Sequence, residues 1–257
     1  MAKIRIERDE SEPIARVVIS NPERRNAVGR ADTQELAAAI REVDADDEIR
    51  CVILTGEGDA FCAGLDLTSI EGSPTADLVD RSFHAAVREI ATCGKPVVSR
   101  VRGPAIGAGA ALAVACDMVY AESSARIGFS FARIGLSADT GATFTLPRLV
   151  GPQQALELLM TGRILDGEEA AEIGLVTDVA PPETFDDLVD ERVGALANGP
   201  TRSLSALRRL VLRSNASSFE THLEMEAREQ IGIYHTNDAM EGIAAFAADR
   251  DPEFEGV

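Results

Sequence analysis

Residues 102–117 read RGPAIGAGAALAVACD, directly after the strand-like KPVVSRV of 95–101. The apolar strand run, the glycine turn and the alanines that follow predict a strand passing through a tight loop into a helix of small residues. Small residues serve two purposes at such a place. They let a helix pack closely on a strand, and they let a ligand approach main-chain N–H groups that no side chain shields. A dinucleotide-binding fingerprint is a third reading, but G-x-G-x-x-G fails at its last position, Leu112. A second loop of the same kind, DAFCAGLDL at 59–67, follows another apolar strand, RCVILTG at 50–56. Two such loops together favour a main-chain binding site.

The remaining chain extends this pattern outward. KIRIER (3–8) and ARVVIS (15–20), separated by the turn-rich DESEP, predict an opening hairpin. ADTQELAAAIREVDAD (31–46) carries Leu36, Ala37, Ile40 and Val43 at helical spacing. DLVDRSFHAAVREIATCG (77–94) reads as a helix stopped by Gly94 and Pro96, and MVYAESSARIGFS (118–130) as extended structure. From Pro152 onward the pattern is helical, with LVTDVAPP (175–182) as the one strand-like exception. The recurring unit is strand, strand, helix. It predicts a layered α/β core whose strands are covered on both faces. The last three amphipathic segments, 201–214, 218–235 and 237–250, are too few to close a core alone and are expected to pack on a partner subunit or back on the core.

Composition narrows the function. The chain has 257 residues, 45% apolar and 26% charged, which is ordinary for a globular protein and leaves room for a full core. A net charge of −18 repels a phosphate backbone, and no basic stripe with interleaved aromatics offsets it, so nucleic-acid binding is not expected. An anionic small ligand would need a local group of cations. No stretch is long enough to span a bilayer, and the alternating start is unlike a secretory signal, so a cytoplasmic, membrane-free protein is expected. Cys51, Cys62, Cys93 and Cys116 lack C-x-x-C spacing and read as buried free thiols; His84, His222 and His235 are too scattered for a metal site.

Six fragments in order resemble the crotonase (enoyl-CoA hydratase/isomerase) superfamily. They are the hairpin, the stretch with Asn21, Pro22, Arg25, Asn26 and Ala27, AFCAGLDL, KPVVSRVRGPAIGAGAALAVACD, RIGLSADTGATFTLPRLVG (133–151) and MEGIAAFAADRDPEF (240–254). The resemblance covers nearly the whole chain. It implies a spiral of ββα units over residues 1–195 and a C-terminal helical region, 196–257, used to form a trimer or a hexamer of two trimers. It also implies an acyl-CoA substrate, with no metal or redox cofactor and with CoA arriving as part of the thioester.

A thioester carbonyl that gains negative charge needs two fixed hydrogen-bond donors, and main-chain N–H groups at a loop and a helix start provide them. The resemblance assigns these to Leu65 and to Ala108, where the family commonly has glycine. The two glutamates with which its hydratases add water fall on Ala111 and Phe131, neither of which can activate water. Asp139 falls where isomerase branches, of Δ3,Δ2-enoyl-CoA isomerase or ring-opening type, place an acidic residue that moves a proton along the acyl chain. Its apolar neighbours Phe131, Ile134, Leu136 and Phe144 are expected to enclose it. The alternative is an N-cap for a helix through 140–149. A dehalogenase branch also resembles the chain here and aligns a helix histidine with His84, although it has tryptophan at the place of Phe131. Enoyl-CoA hydration, dehalogenation with His84 as a pocket residue, and thioester binding without turnover remain the rival readings. For CoA, the resemblance points to Arg24 and Arg25 at the phosphates, to the backbone at Ala63, and to Arg250 near Phe246.

Overall fold

The computed structural model describes residues 3–69 and 75–257. The hairpin forms as β1 (Ile4–Arg8) and β2 (Ile14–Ile19), followed by α1 (Arg30–Asp44) and β3 (Cys51–Gly56). One continuous helical segment comprises α2 (Ala76–Val79), a π-helical turn (Asp80–His84) and α3 (Ala85–Thr92). Next come β4 (Val97–Val101), β5 (Pro104–Ile106), α4 (Ala108–Ala113), β6 (Met118–Glu122) and β7 (Arg126–Gly128). The second half contains α5 (Ala142–Val150), α6 (Pro152–Thr161), β8 (Ile164–Leu165), α7 (Gly167–Glu172), β9 (Asp178–Ala180), α8 (Phe185–Ala197), α9 (Thr201–Arg213), α10 (Phe219–Tyr234) and α11 (Asn237–Ala247).

A six-stranded sheet runs β1-β2-β3-β4-β6-β9, antiparallel only at β1, and a small sheet runs β5-β7-β8. Successive strand pairs therefore divide between two sheets: β4 and β6 enter the large one, β5 and β7 the small one. This is the strand, strand, helix repeat in space. The central strands are buried on both faces, which is why they read as continuous apolar runs. One face packs against α1, α3 and α4 through Leu36, Ile40, Ile90 and Leu112; the other packs against α8 through Phe185, Val189 and Val193.

Two sequence expectations are corrected. The two-residue strand β8 interrupts the helical second half, pairing with β7 where only LVTDVAPP was expected to be extended. The small-residue helix ends at Ala113, not Asp117. Asp117 draws the chain away: its N–H bonds Val97 O, and its Oδ2 accepts the Val97 N–H at 2.8 Å, so β6 must start beside β4.

The C-terminal helices divide in their packing. α9 docks on the core through Arg208, whose Nε lies 2.6 Å from Asp117 Oδ1 and whose terminal nitrogens donate to the carbonyls of Ile90, Ala91 and Cys93 at the end of α3. α10 buries no residue within the chain, and Phe219, Ile231 and, on α11, Phe246 are exposed. The last residues fold back, with the Asp238 carboxylate accepting the N–H groups of Glu255 and Gly256, while Arg50 Nη1 donates to Phe254 O at 3.0 Å.

Candidate active site

The loop 62–66 is held by two isolated parallel bridges, Cys62 with Ala105 and Val28 with Leu65. Val28 N–H bonds Gly64 O and Val28 O accepts Asp66 N–H, both at 2.9 Å. In a parallel bridge the two residues flanking the bridged one face the partner strand, so the bridged residue's own N–H points the other way. That residue is Leu65. Across the gap, Ala108 is the first residue of α4, and a first-turn N–H has no partner four residues back. Among the described residues, neither the Leu65 nor the Ala108 N–H has an acceptor.

Glycines bring the two loops together. Gly64 has φ +92°, and a Cβ built there would lie 2.5 Å from Ile106 O and 3.4 Å from Ala108 N. A Cβ on Gly109 would lie 2.1 Å from Cys62 O. The loops that carry Leu65 and Ala108 are thus brought together, although α4 is too short to add much of a helix field behind Ala108. Cys62 Sγ accepts the Gly64 N–H at 3.4 Å, and burial pushes its thiol up to about 12, so it stays protonated and is no nucleophile at neutral pH.

Arg24 and Arg25 lie beside this loop. Ala63 N–H bonds Arg25 O at 2.9 Å, and Arg24 Nη1 donates to Asp66 Oδ1 at 2.9 Å and to Thr68 Oγ1 at 2.5 Å. Arg25 and Asn26 both sit at positive φ, 51° and 60°, a costly backbone state that needs outside support. Fully buried Asn26 provides it. Its Oδ1 accepts the Asn21 N–H, and its Nδ2 donates to Glu57 O and Ala60 O, joining the Arg24–Arg25 turn to the strand that feeds the loop. Sequence reading quoted Asn26 as motif and missed it, together with Asp66, as framework. The signal was a carboxamide and a carboxylate inside otherwise apolar or glycine-rich stretches.

Asp139 is half-buried in the turn before α5, with Thr140 Oγ1 donating to its Oδ1 at 3.0 Å. It is not the helix cap. The N-cap is Gly141, at φ 76° and without a capping side chain, and α5 starts only at Ala142. The expected enclosure is also incomplete in the single chain. Phe131 is buried, but Ile134, Leu136 and Phe144 are 53%, 48% and 58% exposed. Ala111 is fully buried as well, so neither hydratase-glutamate position presents a polar group.

The Asp139 turn rests against α3, since a Cβ on Gly141 would lie 3.3 Å from Val87 Cγ1. His84, one turn earlier on that face, places Nδ1 3.4 Å from Asp80 Oδ1, which also accepts from Arg88. Phe246 and Arg250 lie elsewhere. Phe246 is 89% exposed, and both terminal nitrogens of Arg250 are taken by Glu241 at 2.6 and 2.8 Å. No hydrogen bond among the described residues joins them to the 62–66 loop. In the loop SIEGSPTADLVD (69–80), from which the acyl-chain preference would be read, residues 70–74 lie outside the described residues. Among the described residues no helix is long and apolar enough to cross a membrane.

The sequence matches the enoyl-CoA hydratase/isomerase family over residues 9–257, and the chain belongs to that family. It is 36% identical to the 1,2-epoxyphenylacetyl-CoA isomerase of Escherichia coli K12 over 246 residues, 93% of this chain and 94% of that protein. It is also 36% identical to a Rhodobacter capsulatus protein named "Probable enoyl-CoA hydratase", over 96% of each chain. The crystal structure of an enoyl-CoA hydratase from Bacillus anthracis superimposes with a TM-score of 0.92 at 28% identity, covering 99% of this chain and 100% of that one. The fold is that of the crotonases, a mixed α/β core with a C-terminal helical region, and the family acts on acyl-CoA thioesters.

Proposed function

We propose that the chain is an acyl-CoA isomerase that moves a double bond by proton transfer. The N–H groups of Leu65 and Ala108 hold the thioester oxygen, and Asp139 removes a proton from C2. The resulting dienolate carries its charge on that oxygen, where fixed donors stabilise it most. The Asp139 carboxyl then returns the proton at C4, so the product is an isomer, no water is consumed and one base suffices. The observation that carries this reading is Asp139 itself. Its carboxylate caps no helix, while the two positions at which a hydratase needs glutamates hold buried Ala111 and Phe131. Arg24 and Arg25 take the CoA phosphates, the backbone at Ala63 borders the nucleotide, Phe131 lines the acyl pocket, and Phe246 and Arg250 serve the CoA of a neighbouring subunit. Residues 196–257 assemble trimers or hexamers, supported by the exposed apolar faces of α10 and α11.

The test is conversion of 3-hexenoyl-CoA to the conjugated 2-enoyl thioester, followed by ultraviolet absorbance. Asp139→Asn is expected to lower kcat by about 100-fold or more, with thioester affinity kept. Wild-type binding without conversion sinks the aliphatic isomerase assignment. Hydration of crotonyl-CoA supports instead the hydratase name that several relatives carry, and halide release from an aryl thioester that depends on both Asp139 and His84 supports a dehalogenase.

A further inference from the structure

The Leu65 N–H takes its direction from the residues on either side of it, and one of these carries a buried carboxylate that the proposed proton transfer does not use. A single isolated bridge to Val28 leaves a loop free to twist about that rung. The stretch 63–66 is instead pinned at both ends, by two neighbouring residues of one turn. Arg25 O accepts the Ala63 N–H at one end, and the Arg24 guanidinium holds Asp66 at the other. The Asp66 carboxylate, 8% exposed, also turns back on its own chain, where Oδ1 accepts the Thr68 N–H at 3.1 Å and the Thr68 hydroxyl at 2.6 Å. This is an aspartate-nucleated turn of the kind that fixes a local backbone direction. Arg24 Nη1 closes the triangle by bonding Thr68 Oγ1 as well. Leu65 lies between the two pinned ends.

We propose that Asp66, gripped by Arg24 and Thr68, is the positioning residue that aims the Leu65 N–H at the thioester oxygen. The proposal rests on the reading of that N–H as a thioester donor. Hydrogen-bond polarisation of a bound carbonyl lowers its stretching frequency, and at saturation this shift reports donor geometry and not affinity.

The experiment is isotope-edited infrared spectroscopy of [1-13C]hexanoyl-CoA, a saturated thioester, bound at saturation to wild type, Asp66→Ala and Asp66→Asn. Wild type is expected to lower the carbonyl frequency. Asp66→Ala is expected to lose at least half of that shift, read at saturating thioester, and about tenfold in kcat for 3-hexenoyl-CoA. Asp66→Asn keeps an acceptor for Thr68 and should recover part of the shift. A folded Asp66→Ala protein with the full wild-type shift overturns the proposal. If that variant does not fold, Thr68→Val and Arg24→Ala, changed at exposed side chains, carry the test, and a wild-type shift in both overturns it. No shift in wild type refutes the underlying reading of Leu65 and is thereby distinguished from a failure of Asp66 to aim it.

Discussion

Gly109→Ala tests the geometry of the candidate site with a single methyl group. The new carbon would lie 2.1 Å from Cys62 O and 2.8 Å from Cys62 Cβ. That carbonyl cannot swing aside cheaply, because it accepts the Ile106 N–H at 2.9 Å within the bridge to Ala105. Ordinary contact begins at 3.4 Å, so α4 and the 62–66 loop must part by about 1.3 Å. Ala108 precedes the substituted residue and Leu65 follows Cys62 by three, so the parting passes directly into the gap between their N–H groups. A reacting group misplaced by about 1 Å costs on the order of 100-fold in rate, or roughly 2.7 kcal/mol of transition-state stabilisation. The assay is kcat for 3-hexenoyl-CoA well below the melting temperature of the variant, beside the Kd for free CoA. The expected result is a roughly 100-fold fall in kcat with CoA affinity unchanged. A folded variant with kcat within about threefold of wild type would refute the claim that these two loops set the distance between the donors.

Two further predictions concern the C-terminal region. Arg208→Ala leaves Asp117 buried without its cation and strips donors from three carbonyls at the end of α3, so urea unfolding should show a loss of about 3–5 kcal/mol; a loss under about 1 kcal/mol would show that α9 is not anchored there. Arg250 and the Glu253 N–H hold the Glu241 carboxyl down to about 2 from an ordinary 4.5. A depressed carboxylate contributes its stability above the ordinary value and loses it as pH falls toward the folded one. The protection factor of the Glu253 amide, its exchange rate corrected for the intrinsic pH dependence, should therefore fall as pH drops from 4.5 to about 2, and an unchanged protection factor across that window would contradict the assignment.

Periodicity and turn chemistry carried most of the fold. The hairpin, α1, β3, β4 and LVTDVAPP fell where apolar spacing put them, because strands buried on both faces leave continuous apolar runs. What depends on distant partners was not legible in the sequence. β8 is two residues long and exists only because β7 lies beside it. The early end of α4 is decided by Asp117 reaching Val97 and Arg208, 20 and 91 residues away. The two loops were legible as a main-chain site through glycine and alanine patterning, since close main-chain approach excludes larger side chains; the placing of donors at Leu65 and Ala108 came from the resemblance to the family. The roles of Asn26 and Asp66 were not, because a polar residue in a loop looks alike whether it is solvated or buried among carbonyls and N–H groups. The N-cap reading of Asp139 failed for a related reason: Gly141, two residues on, takes up the left-handed turn and starts the helix itself.

Because Leu65 meets Val28 through its neighbours' peptide groups, the N–H it offers has no side-chain signature. A scan that replaces residues one by one with alanine would pass over it, since Leu65→Ala keeps the amide and position 108 is alanine already. Such a scan would register these main-chain groups only through their supports, at Gly64, Gly109, Asn26 and Asp66. Exchanging the Leu65 peptide nitrogen for an ester oxygen by chemical synthesis would delete the group itself and leave every side chain in place.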